Sequence, residues 1–237
     1  MKVSKYFKGL LVLVLSITSI SIFGQARVTV RQNGANTELY FNKAVKAPTY
    51  NEVVGSPYLY EEFVPAKVND FDMTLFVRFN LYDDSIEFKG EDGKVYTMPK
   101  SNEYTIKLLN GSNKIFETHG FKDAEGEIGY TFFEKVYSDD DFGLYIKAVL
   151  LYTPVKLAKN SFETNKPAKF KKGKADFFYL NYDAETLGVV KIPKREKQFL
   201  KIFEEHSSEV KDFIKKEGLD LKETKDLIRI LQFYFNQ

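Results

Sequence analysis

The sequence contains no cysteine and no tryptophan, and it has only two histidines among 237 residues. The absence of cysteine excludes disulfide bonds, thiolate metal ligands, a cysteine nucleophile and the lipidated cysteine of a lipoprotein. Two histidines leave little room for a histidine metal cluster. We therefore expect no metal and no cofactor, and we expect the hydrophobic core alone to stabilise the fold.

Phenylalanine and tyrosine, in contrast, are abundant, with 22 and 15 residues. Together with the 43% hydrophobic content, they supply enough apolar surface for one globular domain with a sizeable core. Beyond the N-terminal segment, no apolar run is long enough to cross a bilayer. We therefore expect no transmembrane segment in the mature chain.

Residues 1–26 have the three parts of a secretory signal peptide. The positive start contains three lysines, Lys2, Lys5 and Lys8. An apolar run follows at residues 10–23, too short to span a bilayer comfortably, and Gly24 and Ala26 suit a cleavage site. We expect a periplasmic or secreted protein. Removing the three lysines changes the formal net charge from +2 to −1, so no general attraction to nucleic acid is expected.

Residues 27–193 carry the two-residue alternation that is typical of β-strands. Leu75, Val77 and Phe79 form one apolar face of a predicted half-buried strand. Residues 144–152 are predicted to form one longer strand. Because short turns join the strands, the sequence predicts an antiparallel meander or a curled, barrel-like sheet.

Three short motifs mark turns in this region. Asp92-Gly93 and Asn110-Gly111 place glycine where a tight hairpin needs a positive φ angle. Gly55-Ser56-Pro57 also indicates a turn, because proline fixes φ beside a flexible glycine. Ser56 lacks the G-x-S-x-G context of a catalytic serine.

Residues 194–237 change to the period of amphipathic helices. Three short helices are predicted from their apolar stripes, which contain Phe199 and Phe203, Val210 and Ile214, and Leu227 and Leu231. Ser208 is the predicted N-cap of the second helix and Gly218 its end, and Asp220 with Glu223 resembles a capping box. We therefore predict an α+β, mainly β fold, with residues 194–237 as a helical cap packed on the sheet.

One combination of motifs resembles that of a known family. Gly55-Ser56-Pro57-Tyr58-Leu59 is followed by Phe63 and by the strand, acidic turn and Ile-Glu-Phe ending of residues 77–88. With the lysine-rich residues 164–174 and the helical tail 210–237, this combination resembles a family of exported flavobacterial-type envelope proteins of unknown function. The resemblance implies an envelope location and an antiparallel sheet with C-terminal helices, and it implies no activity.

The remaining candidates for chemistry are explained more simply as turns or solvated side chains. His119 is predicted to follow a strand and His206 to end a helix, and their spacing predicts no shared site. The acidic runs 123–127 and 139–141 lack the ligand pattern of a calcium loop, so turns are favoured over a cation site. We predict no catalytic residue, and no carboxylate pair stands out as a candidate for glycoside hydrolysis.

The region from Lys156 to Lys174 contains seven lysines and one acid, Glu163. Its candidate contacts to an anionic partner are five lysines, Lys166, Lys169, Lys171, Lys172 and Lys174. Such a positive loop suits a phosphate, an anionic glycan or an acidic partner. The alternative is a solvated connection whose lysines discourage edge-strand pairing.

These observations favour an exported, non-catalytic envelope protein that binds another envelope component, either a protein or an anionic glycan. The alternative is a periplasmic carrier whose curled sheet encloses an apolar ligand. Adjacent aromatic pairs, Phe132-Phe133 and Phe177-Phe178, motivate this alternative because they make both faces of a strand apolar. A hydrolase is the weakest hypothesis, since no nucleophile motif is present.

Overall fold

A computed structural model describes residues 26–32, 35–41, 50, 53–69, 73–90, 92–100, 103–122, 126–160, 162–184 and 188–236, with backbone only for the first two ranges. Residues 1–25 of the predicted signal peptide lie outside the described residues. The same holds for residues 123–125 of the first acidic run.

Fourteen strands are described, and ten of them form one antiparallel sheet that curls into a half-barrel. The strands are β1 (Ala26–Gln32), β2 (Ala35–Phe41), β3 (Val64–Val68), β4 (Thr74–Asn80), β5 (Ser85–Lys89), β6 (Val95–Thr97), β7 (Thr105–Leu108), β8 (Ile115–Lys122), β9 (Ile128–Ser138), β10 (Phe142–Lys147), β11 (Leu150–Thr153), β12 (Lys169–Lys172), β13 (Asp176–Asn181) and β14 (Val190–Lys191). The order across the large sheet is β14-β13-β10-β9-β8-β7-β3-β4-β5-β6, while β1-β2 and β11-β12 form separate pairs. The predicted mainly β, α+β class is confirmed.

Strand β4 shows the predicted alternation. Leu75, Val77 and Phe79 are buried, whereas Phe76 on the opposite face is exposed. The two predicted hairpin glycines, Gly93 and Gly111, both have positive φ angles between paired strands, β5 with β6 and β7 with β8.

The prediction of one strand over residues 144–152 is wrong. The chain leaves the large sheet after Lys147, and β11 begins at Leu150 in a different pair. The carbonyl of Val149 accepts a hydrogen bond from the amide of Gly173, which joins the start of this pair to its end. Apolar residues continue through this corner, so the sequence pattern alone does not reveal it.

A helical run of 22 residues and a shorter C-terminal helix follow the strands. The elements are α1 (Glu196–Phe199), a 3-10 helix (Leu200–His206), α2 (Ser207–Glu217) and α3 (Thr224–Phe235). Gly218 ends α2 with a φ angle of 63°, as predicted. Glu204 has non-helical backbone angles and kinks the first run.

Both predicted N-caps are wrong. Ser208 lies inside α2, and it is Ser207 whose hydroxyl donates to the carbonyls of Leu200 and Glu204. Asp220 lies before α3, whose N-cap is Glu223, without a side-chain cap. The prediction at Ser208 is wrong because the helical run continues through the expected break.

The core consists of three clusters: a large and a small one within the sheet, and one that joins the helices to β10 and β13. In the last of these clusters, Phe142 and Leu144 of β10 are fully buried against the apolar stripes of the helices. The ring of Phe142 stacks on that of Phe235 with centroids 5.0 Å apart. Gln232 of α3 also donates a 2.7 Å hydrogen bond to the Tyr137 hydroxyl. Sheet and helices therefore share buried surface.

Candidate functional site

The predicted lysine region forms a hairpin arm, which we define as residues 150–160 and 162–172. In β11 and β12, Leu151 lies opposite Lys171 and Thr153 opposite Lys169. An isolated antiparallel bridge between Lys156 and Lys166 continues the same strand register toward the tip of the arm. The arm is therefore an extended antiparallel pair rather than an irregular loop.

The base of the arm is fixed to the body of the protein by backbone hydrogen bonds. The amide of Val54 donates to the carbonyl of Ala168, and the amide of Phe170 donates to the carbonyl of Val54, each at 2.8 Å. Gly55 has a φ angle of +88°, and a Cβ atom there would lie 2.9 Å from the Phe170 carbonyl oxygen. The turn predicted at Gly55-Ser56-Pro57 thus allows the close approach that anchors the arm.

An aromatic cluster reinforces this anchor. The Phe170 ring lies 5.4 Å from that of Tyr50, 5.1 Å from that of Tyr82 and 5.5 Å from that of Tyr152. Phe170 itself is only 8% exposed. Because one face of the arm is held in this way, its opposite face has a defined orientation.

The structure brings the five predicted lysines together on or beside the arm. Lys166, Lys169, Lys171 and Lys172 belong to the arm, Lys174 follows it, and all five are exposed. Among the residues that the structure describes, no acidic side chain pairs with any of them. Three lysines in or next to the large sheet differ, since Lys114, Lys135 and Lys147 each pair with a carboxylate. Within the described residues, these five lysines therefore carry positive charge without an acidic partner.

Exposed apolar side chains accompany these charges. Leu157 is 68% exposed and Phe162, at the tip, is 97% exposed. Of the thirteen large hydrophobic residues exposed in the described ranges, five belong to the arm, namely Leu151, Tyr152, Val155, Leu157 and Phe162. Such a concentration in a short segment is typical of an interaction surface.

A second polar cluster lies on β8, β9 and β10. Glu117 Oε2 accepts a 2.9 Å hydrogen bond from the Tyr145 hydroxyl and lies 3.2 Å from His119 Nε2. Lys135 Nζ donates to the other carboxylate oxygen, Oε1. Three neighbouring strands thus surround one carboxylate.

The pKa directions in this cluster follow from burial and hydrogen bonding. Burial alone raises the pKa of Glu117, but hydrogen bonds from His119, Lys135 and Tyr145 outweigh it and lower the pKa to about 2. Burial, and then the negative charge of Glu117, raise the pKa of Tyr145. Glu117 is therefore a permanent carboxylate at neutral pH and Tyr145 a permanent hydroxyl. General acid–base catalysis favours groups that titrate near the working pH, so these two suit a structural network better.

An open cleft of about 630 Å³ borders this cluster. It is lined by Asn69, Glu103, Thr105, Glu117, Thr118 and His119. In the described part of the chain, no three His, Asp or Glu side chains are placed to hold a metal ion. The cleft offers polar contacts but no arrangement typical of a metal centre.

The sequence pattern does not predict this cluster. The prediction that His119 follows a strand is wrong, because β8 continues to Lys122 and places His119 beside Glu117 on one strand face. The spacing of Glu117 and His119 could have shown that shared face. Lys135 and Tyr145 join them only through the strand register, which the sequence does not display.

The other predicted turn residues have turn contacts. Ser56 Oγ accepts a 3.1 Å hydrogen bond from the amide of Tyr58. Asp139 Oδ1 accepts hydrogen bonds from the amides of Asp141 and Phe142 between β9 and β10. His206 is the last residue of the 3-10 helix, as predicted, and its Nδ1 lies 3.2 Å from Glu209 Oε2.

A cavity between Phe79, Phe116 and Phe132 has a volume of only about 20 Å³. Asp84 and Lys147 form an ion pair of 2.8 Å at its edge, and burial lowers the pKa of Lys147. This volume is close to that of a single water molecule.

In the described ranges, no helix combines the length and the apolar content needed to cross a bilayer. Comparisons with protein families, with curated proteins and with solved structures give no match to this chain. Functional inference therefore depends on the arm and on the polar cluster.

Proposed function

We propose that this chain is an exported, non-catalytic envelope protein that binds an anionic envelope component through its hairpin arm. The observation that carries this proposal is a set of exposed lysines on or beside an anchored element, with no acidic partner among the described residues. The set consists of Lys166, Lys169, Lys171, Lys172 and Lys174. An anionic glycan or an acidic protein surface provides the complementary charge.

The anchoring of the arm favours binding over a purely solvated connection. A flexible lysine loop loses conformational entropy when it binds, which weakens affinity. Here the backbone pairing with Val54 and the ring contacts of Phe170 already restrict the arm. Its lysines therefore form a preorganised positive surface.

The alternative function, a carrier of an apolar ligand, has less support. The cavity between Phe79, Phe116 and Phe132 has room for about one water molecule.

The export part of the proposal is supported by the signal-peptide pattern of residues 1–26 and by the family resemblance.

Retention on phosphocellulose, an anionic polysaccharide matrix, tests the proposal. One variant replaces the five predicted contact lysines, Lys166, Lys169, Lys171, Lys172 and Lys174, with glutamine. The matched control replaces five exposed helix-region lysines, Lys201, Lys211, Lys215, Lys216 and Lys222. Both variants lose the same formal charge, so only the position of the charges differs.

We expect the arm variant to elute at a clearly lower salt concentration than the wild-type protein, and the control to elute close to the wild type. Equal elution of both variants would show that retention depends on net charge alone. That result would contradict a binding role for the arm.

A further inference from the structure

We propose that the partner of the arm is the surface of an anionic phospholipid bilayer. This inference rests on the proposed function and specifies its ligand. Its basis is the combination of lysines with exposed apolar side chains on one anchored element.

The strand register places two of the lysines, Lys169 and Lys171, on the same face as exposed apolar side chains, while Lys166 and Lys172 lie on the other face. Residues opposite each other in an antiparallel pair share a face, and alternate residues along a strand return to it. Leu151 therefore shares a face with Lys171, and Thr153 with Lys169. Because the Lys156–Lys166 bridge has the same register, Val155 and Leu157 lie on this face as well.

The other face of the arm is the anchored one. Tyr152 lies opposite Phe170, whose ring contacts the rings of Tyr50 and Tyr82. Because this face is directed toward the body of the protein, the face with Leu151, Lys169 and Lys171 is free to meet a flat surface.

The tip of the arm holds Phe162 in an ordered turn. Asn160 Oδ1 accepts a 3.1 Å hydrogen bond from the amide of Phe162, and Asn165 Oδ1 accepts a 2.8 Å hydrogen bond from the amide of Ala158. Glu163 Oε2 accepts a 3.3 Å hydrogen bond from the amide of Lys159. These contacts fix backbone amides near the tip, where the Phe162 side chain is 97% exposed.

A bilayer surface accounts for both features, whereas a soluble polyanion accounts only for the charges. Elements that bind the membrane interface place apolar side chains about 5–10 Å into the headgroup region and keep lysines near the anionic phosphates. A soluble anionic glycan has no apolar layer for Phe162 and Leu157. The exposed apolar residues therefore favour the lipid surface.

The absence of tryptophan from the chain permits a direct test with the mature protein. A Phe162→Trp variant carries one tryptophan at the tip, and a Phe76→Trp variant carries one at an exposed position of β4. Fluorescence is recorded with vesicles of pure phosphatidylcholine, with vesicles containing phosphatidylglycerol, and with a soluble anionic glycan.

We expect a blue shift of the Phe162→Trp emission with the phosphatidylglycerol vesicles alone, and no shift for Phe76→Trp. In cosedimentation of the tryptophan-free protein, Phe162→Ser should lower binding to these vesicles about tenfold. Each lysine near an anionic leaflet contributes a factor of about five. Because Lys169 and Lys171 lie on the face that meets the bilayer, the five-glutamine variant should lose at least about 25-fold.

Three other outcomes overturn the inference in distinguishable ways. Lysine-dependent binding of the glycan, with no vesicle binding, would contradict the lipid partner and leave the proposed function standing. Vesicle binding that is unchanged in Phe162→Ser would show that the tip does not enter the interface. If the wild-type protein binds neither the vesicles nor phosphocellulose, the proposed function is overturned as well.

Discussion

The Tyr145 hydroxyl donates a 2.9 Å hydrogen bond to Glu117, a residue 28 positions earlier in the chain. Glu117 lies on β8 and Tyr145 on β10, so the bond spans the intervening strand β9. Lys135 of β9 donates to the same carboxylate. One carboxylate therefore fixes three adjacent strands of the large sheet.

The first prediction concerns the acid sensitivity of this network. The pKa of Glu117 is lowered from 4.5 to about 2 on folding, so its stabilising contribution is complete above pH 4.5 and is lost as the pH falls toward 2. Between pH 7 and pH 3 this lost contribution amounts to about 2 kcal/mol of unfolding free energy. The side chain of Glu117→Gln does not titrate. From pH 7 to pH 3, the unfolding free energy of this variant should therefore fall by about 2 kcal/mol less than that of the wild-type protein.

Urea unfolding at the two pH values measures this difference. Glu117→Gln should also be about 1–3 kcal/mol less stable than the wild type at pH 7, because it loses charge-assisted hydrogen bonds. Glu209→Gln is the control, since its side chain is 62% exposed and an exposed ion pair contributes little. An identical pH dependence of Glu117→Gln and wild type would contradict the role assigned to Glu117.

The second prediction concerns the surface shared by helices and sheet. Leu227 and Leu231 of α3 are fully buried in the cluster that includes Phe142 of β10. Leu231→Ala should lower the unfolding free energy by about 2–5 kcal/mol. Leu157→Ala, at 68% exposure on the arm, should change it by less than about 0.5 kcal/mol.

Removal of the C-terminal helices tests the same shared surface. A chain of residues 27–193 exposes Phe142 and Leu144, which are fully buried in the whole protein. We expect it to lose its cooperative thermal transition. A truncated chain that melts cooperatively at the wild-type temperature would show that the sheet does not need the helices.

Local periodicity made much of the fold predictable. The alternation around Val77, the glycine turns at Gly93 and Gly111, and the helical end at Gly218 each depend on residues close in sequence. The break between Lys147 and Leu150 was missed because apolar residues occur on both sides of it. The pairing of β11 with β12 depends on residues distant in sequence, and no local pattern predicts that pairing.

The same distinction applies to the candidate sites. The density of lysines in residues 156–174 was visible in the sequence, whereas the pairing of Val54 with the arm was not. Lys135 and Tyr145 lie 18 and 28 positions from Glu117, and only the strand register brings them together. The local sequence therefore predicts the lysine-rich arm but does not predict the cluster around Glu117.

The third prediction concerns export. The short apolar run at residues 10–23 and the small residues Gly24 and Ala26 predict cleavage after export. N-terminal sequencing of the protein recovered from the periplasm or the medium should begin close to residue 27. Recovery of a chain that starts at Met1 would contradict a cleaved signal.

The fourth prediction concerns the anchor of the arm. Gly55 and Gly111 both have positive φ angles, +88° and +82°, but only a Cβ at Gly55 meets a close atom, 2.9 Å away at the Phe170 carbonyl. Gly111→Ala should therefore cost about 1 kcal/mol of backbone strain. Gly55→Ala adds a steric conflict with the backbone of β12, so it should also weaken the hydrogen bonds between Val54 and the arm.

Limited digestion with chymotrypsin measures the opening of the arm. Cleavage after Phe170, which is 8% exposed, requires the arm to separate, whereas cleavage after Phe162, at 97% exposure, does not. We expect Gly55→Ala to accelerate cleavage after Phe170 by about tenfold relative to cleavage after Phe162, which corresponds to about 1.4 kcal/mol of opening free energy. Gly111→Ala should leave that ratio unchanged, because its turn joins β7 and β8. Equal ratios in both variants would mean that Gly55 does not hold the arm, and its lysines would then lack the fixed orientation from which binding is inferred.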